Sequence, residues 1–191
     1  MTSNVIISLF AIILTLIGFY PYIRDILRGT IKPHVFSWVI WSVVTLVVYF
    51  AQVQDGGGAG AWPIGISGVL TIYVAVLAYF KKSEVVIERV DWLFFIMALI
   101  SLPFWYLTSD PLWTVLILST VEVLGFAPTL RKAYHQPYQE NVTFFFLFMV
   151  RNALSIIALE HYSITTVLFP AAGATACLLL ISTVIYRRKS I

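Results

Sequence analysis

Long apolar runs alternate with short polar or glycine-rich breaks along the whole chain, at about 5–23, 35–51, 62–80, 92–108, 111–130, 142–159 and 164–186. Each run is continuously apolar rather than alternating in and out, which predicts a helix over each and argues against a β-barrel. At 1.5 Å rise per residue, roughly 17–25 residues cross the ~30 Å hydrocarbon layer, and every run reaches that length. The pieces between them, 24–34, 52–61, 81–91, 109–110, 131–141 and 160–163, hold chain breakers or charge. The expected fold class is an all-α integral membrane protein with seven transmembrane helices.

Composition points the same way: 60% of the 191 residues are hydrophobic, 11% are charged, and the mean hydropathy is +0.93. Such values lie outside the range of an ordinary soluble domain. The basic residues then set orientation. Eleven of twelve Lys and Arg residues fall in alternate connections or the C-terminal tail: Arg24, Arg28, Lys32; Lys81, Lys82, Arg89; Arg131, Lys132; and Arg187, Arg188, Lys189. Short cytoplasmic loops retain positive charge, so the N-terminus is expected outside and the C-terminus in the cytoplasm. The net charge of +3 therefore reflects topology and gives no reason to expect nucleic acid as a partner. The expected partners are the lipid bilayer and a small-molecule solute, with a homo-oligomer left open.

The first run has no basic residue before it and no small-residue cleavage pattern after it, so it reads as a retained helix rather than a leader. Cys177 is the single cysteine, inside the seventh run, and reads as a small packing residue. The expected location is multi-pass in a cell membrane, of the bacterial cytoplasmic kind.

The chain repeats itself at an offset of 107 residues, which superimposes the first three runs on the last three. Gly18 meets Gly125, Phe19 meets Phe126, Pro21 meets Pro128, Arg24 meets Arg131, Pro63 meets Pro170, Tyr79 meets Tyr186 and Lys82 meets Lys189, all without a gap. The shared signature is Gly-Phe-x-Pro-x-x-Arg. The reading is a three-helix repeat over 1–84, a linker helix over 85–110 and a second three-helix repeat over 111–191. With one linker span between them, both triplets enter the membrane in the same orientation. Parallel repeats of this kind occur in transporters whose substrate site lies at midplane between the halves.

In this arrangement, and in the proline near the cytoplasmic end of each triplet's first helix followed by a basic loop, the chain resembles the SWEET and PQ-loop superfamily of seven-helix carriers. The resemblance implies transport of a small polar solute by rocking of two three-helix bundles about a central cavity. Tyr22 and Thr129 follow the two prolines where the PQ-loop branch carries glutamine, and spans three and seven lack the asparagine that sugar carriers use there. The resemblance thus implies a fold rather than a sugar.

Candidate chemistry centres on Glu122 and Arg151, the charged residues that interrupt apolar runs. Counted from the run ends, Glu122 lies about 16 Å and Arg151 about 14 Å deep, near the middle of the layer. A charge at that depth is expensive and is retained for pairing or for function. Two readings stay open: a structural ion pair pinning two helices, or a cavity in which Glu122, Arg151 and the adjacent Asn152 hold a polar or zwitterionic solute. Trp38 and Trp41 share one face of span two with Thr45, a face that could stack on a substrate ring or simply pack near a membrane interface. Phe145 and Phe148 stand at the matching positions of span six. Pro21 and Pro128, with Gly18 and Gly125, form two matched helix breaks that read as hinges or as static kinks. Gly65 and Gly68 read as sites of close helix approach.

The run Asp55–Ala61 lacks the lysine and strand context of a phosphate cradle and reads as a flexible outward loop. His34, His135 and His161 fall in predicted loops without metal-ligand spacing. No metal, cofactor or catalytic residue is expected. The last run holds no lysine for a Schiff base, which closes a retinal photoreceptor, and an intramembrane enzyme would need a nucleophile and base that are not there. The leading expectation is a carrier; a non-transporting receptor or assembly factor on the same scaffold is the alternative.

Overall fold

A computed structural model describes residues 2–29, 35–81, 89–108, 110–135, 137–139 and 142–190. Each apolar run falls in one α-helix: α1 (Ser3–Leu27), α2 (Val35–Gln54), α3 (Trp62–Phe80), α4 (Arg89–Thr108), α5 (Pro111–His135), α6 (Val142–Ile157) and α7 (Ile164–Ser190). Short 3-10 helices at Gly58–Ala61 and Pro137–Gln139 precede α3 and α6, and the described residues contain no strand. Several helices run past their apolar stretch into the basic segment that follows. Thus α5 continues through Arg131 and Lys132, and His135 ends a helix rather than lying in a loop.

Ser3–Leu27, Gly58–Phe80 and Ile164–Ser190 are long and apolar enough to cross a membrane. Large apolar side chains such as Phe10, Ile17, Phe80, Leu107 and Leu179 stand exposed. A water-soluble monomer seldom exposes so much apolar surface, whereas lipid tails would cover it. The fold is all-helical and compatible with a membrane protein.

Helix α3 packs against both α1 and α2, and α7 against both α5 and α6. Between these groups α1 packs on α6 and α2 on α5, while α4 lies against α5 and α2. Pro63 opens α3, where its missing N–H leaves no intrahelical bond unmade. Glycines bring α2 and α3 together: a Cβ on Gly65 would come within 2.8 Å of Tyr49, and one on Gly68 within 2.7 Å of Leu46. The apolar core has three parts. One joins α2, α3, α5 and α7 through Val44, Val48, Ile64, Val115, Leu118 and Phe169. A second gathers Phe19, Ile23, Ile26, Trp38 and Leu77, and a third gathers Phe126, Leu130, Ala133, Phe145 and Val184.

Candidate functional site

Helix α6 carries a ladder of side chains on one face, spaced three and four apart: Phe144, Phe148, Arg151 and Ser155. Phe144 lies against α1, where a Cβ on Gly18 would come within 4.0 Å of its ring. Phe148 stacks on Phe144, with centroids 5.9 Å apart, and the Arg151 guanidinium covers Phe148 at 4.2 Å from the ring centroid. At the other end of the ladder the Ser155 hydroxyl donates to the carbonyl of Gly60 at 2.6 Å, and the Ser8 hydroxyl of α1 donates to the neighbouring carbonyl of Ala59, also at 2.6 Å. These contacts fix an antiparallel register for α1 and α6. Arg151 then stands level with Ala11 and Thr15, two small buried residues of α1.

Arg151 and Asn152 are each 2% exposed. The Arg151 Nε and Nη1 are buried and have no hydrogen-bond partner. Asn152 turns toward α7, where a Cβ on Gly173 would come within 2.9 Å of its amide nitrogen. Glu122 sits on α5, and α7 lies between α5 and α6. Glu122, Arg151 and Cys177 of α7 are close enough to sense one another electrostatically. Yet Glu122 and Arg151 make no N–O contact within 4.0 Å, so the direct ion pair that depth alone suggested is not formed. Depth gives one coordinate; the two residues stand on helices that have α7 between them.

The remaining expected site residues divide. Trp38 packs against Phe19 at 6.2 Å and Tyr22 at 5.2 Å, and Trp41 meets it edge-on at 5.2 Å while remaining 40% exposed. The ring contacts described are those of Trp38 with α1 and of the two with each other, not with Arg151. Thr45 is buried in α2 beside Val44 of the apolar core. Pro21 lies inside α1. Gly125 and Pro128 fall in the α5 range, but their surroundings, like His34, lie outside the described residues.

One expectation is overturned. The run Asp55–Ala61 is not a loose loop: it turns tightly through positive φ at Gly56 and Gly58 and ends in a short helix whose Ala59, Gly60 and Ala61 are buried. The Ala59 amide donates to the Glu160 carboxylate at 3.2 Å, and the Glu160 amide donates to the Gly57 carbonyl at 3.3 Å. The Ser163 hydroxyl donates to the Asp55 carboxylate, and the Gln52 amide donates to the Thr166 carbonyl at 2.7 Å. Glycine permits this path and also this proximity, since a Cβ on Gly58 would collide with Glu160 and one on Gly60 would reach within 2.5 Å of the Leu159 nitrogen. The segment therefore caps the α1–α6 seam one turn, about 6 Å, from Arg151. Sequence reasoning missed Ser8, Ser155, Glu160 and Gly173. Serines facing inward from apolar helices and an unbroken run of six glycines and alanines over 56–61 were the available signals, but nothing local pairs them.

The chain matches no family model, and neither the curated proteins nor the solved structures contain a match to it.

Proposed function

We propose that the protein is a membrane carrier that moves a small polar solute by alternating access between two three-helix bundles, α1–α3 and α5–α7. The reading is supported by two seams that the 107-residue offset makes equivalent yet whose chemistry is opposite. The offset carries Phe19, Ile23, Ile26, Trp38 and Leu77 onto Phe126, Leu130, Ala133, Phe145 and Val184, and each set is one packed cluster. It also carries the α1–α6 contact onto the α2–α5 contact. In the α2–α5 seam, Val115, Leu118, Val44 and Val48 make a dry apolar lock. Their mates in the α1–α6 seam are Ser8, Ala11, Arg151 and Ser155.

A buried charge inside an apolar bundle is costly, and Arg151 standing where the equivalent seam has Val44 favours a solute path over mere packing. The cap made by residues 55–61 closes that seam at the end holding the start of α1, the outer end by the positive-inside orientation. Release to that side then requires the cap to part from Ser8, Ser155 and Glu160.

The test is a reversible lock. Ser8→Cys with Ala59→Cys, reconstituted in liposomes loaded with sugars, amino acids and vitamins, is expected to exchange at least one solute when reduced and none when cross-linked. Absence of exchange for every solute by the reduced protein and by wild type would put the receptor or assembly-factor reading first.

A further inference from the structure

We infer that the α1–α6 seam is an anion site whose ligand presents a carboxylate to Arg151. The inference rests on the seam being a ligand site, as proposed above, and names what it takes. A buried guanidinium is ordinarily paired, because an uncompensated charge out of water is strongly unfavourable. Arg151 is 2% exposed, its Nε and Nη1 have no partner, and Glu122 is not within ion-pair distance. The contact it does make uses the face of the guanidinium, against Phe148. Stacking leaves the in-plane N–H groups free, and those are the groups that grip a carboxylate in a two-pronged bond. The Asn152 amide stands at the next position, against Gly173 of α7, and carries neutral donors and an acceptor.

Charge limits the ligand further. Arg151 brings one positive charge to the seam, with the Glu122 carboxyl within electrostatic reach of it. A monocarboxylate or a zwitterion suits that balance. A doubly charged phosphate would be repelled by Glu122 without a second cation to hold it.

Acetate is the smallest probe of this chemistry, and acetamide is its uncharged counterpart of the same shape. Thermal unfolding of the detergent-solubilised full chain is expected to shift upward with acetate, lactate and alanine, and not with acetamide, lactamide or alaninamide. Inorganic phosphate at equal concentration and ionic strength is expected to shift it less than acetate. Equal shifts with the amides, or no shift with any carboxylate, would overturn the inference, and neither comparison requires a variant. Arg151→Gln is then expected to unfold no earlier than wild type while losing the acetate shift. Retention of the shift by that variant would overturn the inference, as would an Arg151→Gln protein that unfolds well below wild type and shows no carboxylate selectivity in the parent. The two readings fail separately. Carboxylate protection without flux in liposomes leaves the anion site and removes the carrier, whereas flux of an uncharged sugar that is indifferent to carboxylates does the reverse.

Discussion

Single atoms decide the geometry of the cap and of the polar seam. Gly29 and Gly58 both adopt positive φ, at 76° and 56°, but a Cβ on Gly29 meets nothing within 4 Å while one on Gly58 collides with the Glu160 carboxylate. Gly29→Ala is therefore expected to cost only the left-handed strain, about 1–2 kcal/mol. Gly58→Ala should add an overpacking cost of about 1–3 kcal/mol, and thermal unfolding of the two variants measures the difference. Equal losses would mean that the cap yields freely around Glu160. Gly173 works on the seam itself: Gly173→Ala pushes on the Asn152 amide and should weaken acetate binding severalfold, read as a smaller acetate-dependent shift against an otherwise similar unfolding temperature. A shift of unchanged size would remove Asn152 from the ligand's surroundings.

Helices make the next scale, and Pro21 is the clearest case. It has no N–H to donate to the carbonyl of Ile17, four residues back inside α1, and its ring crowds that carbonyl. Pro21→Ala restores the bond and should raise the unfolding temperature. If α1 bends there during the cycle, the same variant should slow solute exchange several-fold; unchanged exchange with raised stability would make Pro21 a static kink. The positions of the helices were legible in the chain because apolar runs of membrane-crossing length leave few alternatives. The site was legible only in part. Depth along a helix is a property of one segment, so the shared level of Glu122 and Arg151 could be counted. Their separation around α7 depends on packing among three segments and could not. Likewise a glycine-rich run declares what its backbone permits, while its partners Ser8, Ser155 and Glu160 lie about 50 to 100 residues away and leave no local trace. Trp38 and Trp41 were legible as a shared aromatic face but not by partner: Trp38 meets Phe19 and Tyr22 of α1, while Trp41 meets Trp38 and stands exposed.

At the scale of the whole molecule, the proposed function has the α2–α5 and α1–α6 seams divide the work between holding and binding. Association of helices in lipid is driven mainly by close packing rather than by exclusion from water. The apolar α2–α5 seam, with Val44, Val48, Val115 and Leu118 all essentially buried, should therefore contribute to holding the halves together. The α1–α6 seam contributes polar groups whose burial is less favourable, and under the proposed anion site a ligand would stabilise it. Leu118→Ala, which opens a void at a fully buried position, is expected to lower stability by about 2–5 kcal/mol while leaving the acetate-dependent shift intact. Its counterpart under the repeat is Ala11, already small, beside Arg151. Ala11→Leu fills that seam and should abolish the acetate shift with a much smaller loss of stability. Equilibrium unfolding of both variants with and without acetate reads all four quantities. A Leu118→Ala protein that loses its response to acetate, or an Ala11→Leu protein that keeps it, would mean that binding and cohesion are shared across both seams, and the asymmetry between them would then carry no functional weight.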